Sequence, residues 1–247
     1  MVAVMWNLRA IKLKIGCNTC RMAKETHTRA SGNIVHNAMG SRSTVAVVAD
    51  RQKGACVNRK ETTQFLGELL KRDRLSGMGK YWASEVSIDA FTAAGKGGRV
   101  DFMQFVPQNQ YSIGGLEKGI FVCYEVKSCK ADVYSGSGLN FYGEKNYIVT
   151  TMQCYKEIIP DLNSGTFNEH LHKTNPESSA LYGIMVAVPV MRSNYQEFEE
   201  PTPISDDISW RLEIIRPCVM GSRKKSLTEM LFCMVRSGRQ RSKIVEP

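Results

Sequence analysis

Residues 119–136, GIFVCYEVKSCKADVYSG, constrain the fold most strongly. The apolar run at residues 121–123 is typical of a strand that is covered on both faces. Glu125 and Lys127 follow two positions apart, so their side chains point to the same side of the sheet. Burying a lone carboxylate and a lone ammonium is costly unless they pair or bind something. This strand therefore predicts either a paired polar position or a functional site.

Length and composition indicate a globular protein. The chain has 247 residues, of which 43% are hydrophobic, enough for one large domain or an ordinary domain with extensions. No apolar run approaches the ~18 residues that span a bilayer, and the first residues lack the features of a signal peptide. The 8 cysteines have irregular spacings, which is typical of reduced thiols. These features predict a cytoplasmic protein with no membrane partner.

Charge is distributed unevenly along the chain. Residues 1–80 contain 15 Lys and Arg against 5 Asp and Glu, and residues 221–247 contain 7 against 2. Residues 81–220 contain 11 against 17. Basic ends attract phosphate backbones, although solvated tails would have the same composition. An acidic middle is typical of a metal-binding active site in a nucleic-acid enzyme, and equally of an ordinary acidic surface.

The apolar pattern predicts an α/β sheet covered by helices. Strands are predicted at residues 81–89, 99–106, within 119–136, at 144–151, 181–190 and 208–216, and a short one at 44–48. Helices are predicted at residues 61–74, from residue 152 to near Pro160, and at 226–236, the last with Ser226 and Glu229 as a capping box. Three parts follow: a basic N-terminal extension (1–60), a main domain (61–220) and a basic C-terminal helix and tail (221–247).

Acidic residues recur on three consecutive predicted strands. Glu85 lies on the first, Asp101 on the second, and Glu125 with Lys127 on the third. Two carboxylates about 4 Å apart repel by roughly 4 kcal/mol at an effective dielectric near 20. A divalent cation would remove this repulsion, and hard oxygen ligands favour Mg²⁺ or Mn²⁺. If the strands are neighbours, the sequence predicts a metal site, with Lys127 beside the attacking water or a phosphoryl oxygen.

This pattern resembles that of a known enzyme superfamily. Asp101, then 23 residues, then Glu125-Val126-Lys127, with Glu85 upstream, resembles the PD-(D/E)XK nucleases. The segments SEVSID, GRVDFMQF, YEVKSCKADVYSGSGLNFYGEKNYIVT and YGIMVAVP are similar to its MmcB-like DNA-repair and phage group, over about residues 80–190. Val100 stands where the motif name has proline, and Ser137 stands where we expect a histidine in related phage-type proteins.

The resemblance implies a restriction-endonuclease-like mixed sheet flanked by helices. It implies a hydrolase that cleaves DNA phosphodiester bonds with Mg²⁺ or Mn²⁺, in DNA repair, recombination or phage DNA processing. Asp101 and Glu125 would bind the metal together with the backbone carbonyl of Val126. Glu85 would be a further ligand or would orient one, and Lys127 would orient the attacking water.

Other interpretations stay open. The same fold could bind nucleic acid through its basic ends without cutting it, and an isolated Glu-x-Lys could simply pair on a solvated face. The DNA substrate could be duplex or branched, and a homodimer is one of the assemblies left open. The basic segments GSRKK and RSGRQRSK beside the last helix either contact phosphates or lie in solvent.

Three other features of the sequence lie outside this pattern: a glycine-rich segment, a pair of histidines and a set of possible zinc ligands. AAGKGG, at residues 93–98, is interpreted as a hairpin turn. His170 and His172 are predicted to be solvated in a polar loop. A set of thiol and imidazole ligands near the N-terminus would suffice for a zinc-organised interaction protein, although its spacing matches no standard zinc finger. These residues are Cys17, Cys20, His27, His36 and Cys56.

Overall fold

A computed structural model describes residues 58–88, 97–176 and 181–239, and it confirms the predicted mixed α/β fold. The described residues form a six-stranded sheet with helices packed against it. The strands are β1 (Tyr81–Ile88), β2 (Gly98–Val106), β3 (Ile120–Lys127), β4 (Lys145–Thr151), β5 (Gly183–Pro189) and β6 (Trp210–Arg216). The helices are α1 (Arg59–Leu70), α2 (Ile113–Glu117), α3 (Lys130–Val133), α4 (Met152–Ser164), α5 (Thr166–Thr174), α6 (Asn194–Glu199) and α7 (Leu227–Arg239).

The strands lie in the sheet in chain order, and their directions are mixed. β1, β2 and β3 form an antiparallel meander. β3, β4 and β5 are parallel, and β6 returns antiparallel to β5. Parallel neighbours need a crossover, which α3 and the following loop supply before β4, and α4 with α5 supply before β5. The first three strands are therefore neighbours, which is the condition on which the metal-site prediction depends.

One face of the sheet packs against α1. Val122, Tyr124 and Val126 point to this side and share a hydrophobic cluster with Leu66 and Leu70 of the helix. Because strand side chains alternate, the residues between them point to the other side. We call the two sides the α1 face and the opposite face.

The opposite face carries two separate hydrophobic clusters. α7 packs on β1, where Met230 contributes to a cluster with Phe121 and Cys123. α4 and α5 cover β4 and β5 in a second cluster. Glu125 and Lys127 have the same strand parity as Phe121 and Cys123, so they lie on this face too. The charged pair continues the strand beyond the apolar residues that α7 covers.

A π-helical turn, Lys71–Leu75, continues α1 and contacts the edge strand β6. Its side chains hydrogen bond to backbone groups of β6 that β5 does not use. The bonds are from Arg72 to the Trp210 carbonyl, from Arg74 to the Leu212 carbonyl (3.1 Å), and from the Leu212 N–H to Asp73 Oδ2 (2.8 Å). This turn ends just before the Gly-rich segment that was predicted to stop the helix.

The predicted end of α4 near Pro160 is wrong, because the helix continues to Ser164. Proline removes one N–H but does not forbid a helix whose next turn is held by other contacts. Here Pro160 is exposed, and the following Asp161 accepts hydrogen bonds from Tyr134 Oη (2.7 Å) and pairs with Lys130 Nζ (2.8 Å). Tertiary contacts therefore outweigh the local cost of the proline.

The predicted polar loop around His170 and His172 is also wrong, because both residues lie on α5. The helix buries Phe167 and Leu171, which are four residues apart on one side. Two apolar positions among polar neighbours gave too weak a periodic signal. The His170 ring packs on the Tyr134 ring at 4.8 Å between centroids.

Some sequence predictions lie outside the described residues. They concern the strand at 44–48, the zinc-ligand set between residues 17 and 56, and most of the hairpin turn at 93–98. Within the described residues, no helix is long and apolar enough to cross a bilayer.

Candidate active site

The β1–β2 ladder is interrupted where Glu85 faces Asp101. The flanking pairs are Ser84 with Phe102 and Val86 with Val100. Glu85 has φ 56°, a conformation that costs a non-glycine residue roughly 1–3 kcal/mol. Ala83 and Val86 both belong to the cluster beneath α7 although they are three apart, so the alternation shifts by one residue here. The interruption releases both acidic residues from regular pairing.

Asp101 is held against β3 by a backbone hydrogen bond. Its Oδ2 accepts from the Val126 N–H at 2.8 Å, which places the carboxylate beside Glu125. Burial raises the pKa of Asp101, and the nearby Glu85 raises it further. The Val126 N–H and the Lys127 ammonium act in the opposite direction. Asp101 is thus a half-buried carboxylate that holds its proton more tightly than an exposed one does.

Glu125 is the most enclosed member of the group, with 1% of its surface exposed. Its Oε1 is buried without a hydrogen-bond partner among the described residues, while the Leu139 N–H donates to the carboxylate. Burial raises the pKa of Glu125 well above its usual value, and the neighbouring Asp101 adds to the shift. The Lys127 ammonium opposes it. A buried carboxylate oxygen without a partner needs a proton or a cation.

Lys127 is only 4% exposed, and its Nζ donates to the Ser137 carbonyl at 2.7 Å. An ammonium has three N–H donors, so this bond leaves donors for a water or a phosphoryl oxygen. Thr150 Oγ1 donates to the Lys127 backbone carbonyl at 2.6 Å, which ties the end of β3 to β4. The Lys127 side chain therefore starts from a fixed backbone.

Residues 136–141 cover Glu125 and Lys127, and we call them the cover loop. A Cβ added to Gly138 would lie 2.7 Å from Glu125 Oε2 and 3.1 Å from Lys127 Nζ, so backbone packs directly on the pair. Leu139 and Phe141 have φ 57° and 50°, yet both side chains are buried in the cluster beneath α4 and α5. This burial anchors a backbone that would otherwise be strained.

Glu85 lies at the edge of the site rather than in its centre. It forms an ion pair with Arg99 at 3.0 Å, and 43% of its side chain is exposed. The structure therefore brings Asp101, Glu125 and Lys127 together, with the Val126 backbone between them. Glu85 adjoins this group through Asp101.

The site opens into a cleft of about 1230 Å³. Its lining comes from α1, the middle of β1 and β2, the end of β3, the cover loop and residues 174–176. Unlike the cover loop and residues 174–176, the other walls carry basic side chains. They are Arg59, Lys71, Arg99, Lys127 and Lys224, the last from the segment before α7.

Sequence reasoning did not find Arg59 and Lys224 as site residues. Arg59, at the start of α1, forms an ion pair with Asp132 just after β3. Lys224 Nζ donates to the Asn140 carbonyl at 2.6 Å, and its backbone N–H donates to the Tyr142 carbonyl at 3.1 Å. The basic GSRKK segment was a signal for Lys224, but only the fold places it at the cleft.

The two central carboxylates fit a divalent cation. No group of three or more His, Cys, Asp or Glu side chains in the described parts of the chain could hold a metal alone. Mg²⁺, however, is usually bound through one or two carboxylates and keeps several waters and phosphate oxygens. Asp101 and Glu125 provide such a pair, and the partnerless Glu125 Oε1 is an available ligand atom.

No protein-family model matches the chain, and no curated protein or solved structure is significantly similar to it.

Proposed function

We propose that the protein is a metal-dependent nuclease that hydrolyses DNA phosphodiester bonds. The observation that carries the proposal is the meeting of Asp101, Glu125 and Lys127 at the base of one cleft, with Glu125 Oε1 buried and partnerless among the described residues. Two carboxylates for a cation and one ammonium for a water or phosphate are the groups that such hydrolysis needs.

The size of the cleft and the Lys and Arg side chains on its walls support a polymeric anion as the substrate. Its volume of about 1230 Å³ exceeds the ~300–1,000 Å³ of small-molecule pockets. Basic side chains such as Arg59 and Lys224 lie on its walls, where phosphates of a bound strand would pass. Three of the basic side chains pair with acidic side chains of the same cleft, namely Arg59 with Asp132, Lys71 with Glu68 and Arg99 with Glu85. Phosphates of a bound strand would replace these carboxylates, while Asp101 and Glu125 would bind the cation.

Each residue of the centre has a role that follows from its position. Asp101 and Glu125 would hold Mg²⁺ or Mn²⁺, and the hydrogen bond from the Val126 N–H fixes the position of Asp101. Lys127 Nζ donates to the attacking water and to a phosphoryl oxygen, which orients the water and stabilises the developing negative charge. The bound cation supplies charge neutralisation at the phosphate and favours ionisation of the water. Glu85, beside Asp101 and paired with Arg99, would be a further ligand or would orient one.

The proposal includes membership of the PD-(D/E)XK superfamily and work in DNA repair, recombination or phage DNA processing. The convergence of the motif residues from β1, β2 and β3 supports the first part. A cytosolic location is also proposed, because Cys123, Cys129, Cys154, Cys218 and Cys233 are free thiols.

The test is a cleavage assay on labelled DNA with Mg²⁺, with Mn²⁺ and with EDTA. Wild-type protein is expected to cut only with a divalent cation. Lys127→Ala is expected to cut at least about 100-fold more slowly, because it removes both water orientation and charge stabilisation.

Lys130→Ala is the matched control, since Lys130 is three residues away and pairs with Asp161 outside the cleft. It should retain wild-type cleavage, and circular dichroism should show that both variants are folded. Cutting by Lys127→Ala at the wild-type rate would refute the proposal.

A second function, nucleic-acid binding without cleavage, is favoured by one observation. Lys127 is almost fully buried and bonded to the cover loop, as a structural lysine would be. In that case DNA binding would persist in EDTA and in Lys127→Ala, and no cation would support cutting.

A further inference from the structure

We infer that the substrate is single-stranded at the position of cleavage, and that its bases stack on Trp82 beside the cleft. This inference rests on the proposed nuclease function for cleavage, whereas its binding part can be tested alone. Two independent observations carry it: the depth of the central residues and an exposed aromatic group next to the cleft.

The first observation is the enclosure of Glu125 and Lys127. A scissile phosphate has to come close enough to Lys127 Nζ for a single water molecule to bridge them. Lys127 Nζ lies beneath the cover loop, where it donates a hydrogen bond to the Ser137 carbonyl. Duplex DNA is a stiff rod with a persistence length of about 150 bp, and its phosphates lie on a convex surface. A single strand can bend its backbone into a recess that such a rod cannot enter.

Two polar contacts join lining residues of the cleft to one another. Arg59 of α1 pairs with Asp132, and Lys224 Nζ donates to the Asn140 carbonyl. Both contacts join separate segments across the surface around the site. The phosphates of an entering strand would replace Asp132 and the Asn140 carbonyl as partners of Arg59 and Lys224. A thin and flexible polymer can reach both positions.

The second observation is Trp82, an indole that is 36% exposed on β1. Its ring lies 6.1 Å from the ring of Phe102, measured between centroids. Phe102 lines the cleft, and Lys71 Nζ lies 5.8 Å from the Phe102 centroid. Trp82 and Lys71 thus both pack against Phe102, a largely buried ring that lines the cleft.

This combination suits unpaired bases. Proteins that bind single strands combine a basic groove with aromatic rings on which bases stack, at about 1–3 kcal/mol per base. Paired bases offer no free face for such stacking except at the end of a duplex. Trp82 would therefore bind a base of the strand whose backbone enters the cleft.

The binding test measures the affinity of the full-length protein for a labelled oligo-dT strand in EDTA. Trp82→Ala is expected to weaken binding about 5- to 100-fold, the equivalent of one lost base stack. Trp82→Phe should stay within about 3-fold of wild type, because it keeps an aromatic face. Tyr111→Ala is the control, since Tyr111 is 89% exposed and does not line the cleft.

The cleavage test compares one labelled sequence as a single strand, as a blunt duplex and as a flap on a duplex, with Mg²⁺ or Mn²⁺. The single strand and the flap should be cut at least about 10-fold faster than the interior of the duplex. If the interior of the duplex is cut as fast as the single strand and the flap, the inference is overturned, but the proposed nuclease activity is not.

The two proposals can fail separately. The protein could bind single strands preferentially, lose affinity in Trp82→Ala, and cut no substrate. That result would support a single-stranded ligand and refute the proposed nuclease activity. Wild-type affinity of a folded Trp82→Ala would overturn the stacking role.

Discussion

Gly138 brings backbone into direct contact with charged side chains. It has φ +73°, as does Gly136 two residues earlier, so alanine is conformationally strained at either position. The surroundings differ. A Cβ at Gly138 would meet Glu125 Oε2 at 2.7 Å, whereas at Gly136 the nearest atom would be Thr174 Cγ2 at 4.0 Å.

This pair gives a matched experiment at the residue scale. Gly136→Ala should lower the free energy of unfolding by roughly 1–2 kcal/mol, the cost of a left-handed alanine. Gly138→Ala should lower it by more, because its Cβ would also displace the buried Glu125. Only Gly138→Ala should also reduce cleavage, by about 10-fold or more, because it displaces Glu125 and Lys127. Urea titration and initial cleavage rates measure the two effects. Equal activity of the two variants would show that the cover loop does not position the pair.

At the element scale, side chains of the π-helical turn complete the hydrogen bonding of β6. Asp73 accepts the Leu212 N–H at 2.8 Å. Asp73→Ala leaves this half-buried donor without its acceptor, so we expect a loss of roughly 1–3 kcal/mol in the free energy of unfolding. Urea unfolding measures it.

Glu68→Ala provides the comparison for this prediction. Glu68 pairs with Lys71 at 2.6 Å on an exposed surface of α1, and such pairs contribute about 0.5 kcal/mol or less. If Asp73→Ala and Glu68→Ala lose similar amounts of unfolding free energy, the contact of Asp73 with β6 contributes no more than an exposed ion pair.

The strands were predictable from sequence because their apolar runs and turn residues are unambiguous. Five predicted strands correspond closely to β1, β2, β4, β5 and β6, and the charged strand is β3. Short helices such as α3 and α6 were missed, since one or two turns carry almost no periodic signal. The extent of α4 was missed because the contacts of Asp161 are tertiary.

The central residues were predictable from the order of acidic residues on neighbouring strands, but their surroundings were not. The shift of alternation at Glu85 depends on a positive φ that its residue type does not indicate. The bond from Lys127 to Ser137 depends on how a loop ten residues away folds back. Arg59 and Lys224 reach the cleft from opposite ends of the described chain.

At the scale of the whole molecule, the buried carboxylates make stability depend on pH. The pKa values of Asp101 and Glu125 are raised, chiefly by burial, so the folded protein holds their protons more tightly than the unfolded chain does. Their contribution to stability is complete below the usual carboxyl pKa and is lost as pH rises through the raised values. A divalent cation that replaces these protons should restore stability, and should do so more at higher pH.

The prediction is a difference between two proteins, since carboxylates such as Asp161, whose pKa is lowered by Lys130 and Tyr134, act in the opposite sense. In EDTA, wild type should lose more unfolding free energy than Glu125→Gln between about pH 5 and pH 8. Added Mg²⁺ or Mn²⁺ should raise the melting temperature of wild type at pH 8 more than that of the variant. The prediction is contradicted if unfolding free energy falls equally with pH in wild type and Glu125→Gln, and if the cation raises both melting temperatures equally.

The turn at Lys71–Leu75 also bears on how copies of the protein meet one another. A strand at the margin of a sheet offers its backbone to any extended segment, which is a route to aggregation. On β6, the guanidinium and carboxylate groups of Arg72, Asp73 and Arg74 occupy the backbone positions that an incoming strand would use. At Trp210 and Leu212, three charged side chains therefore block intermolecular strand addition to β6.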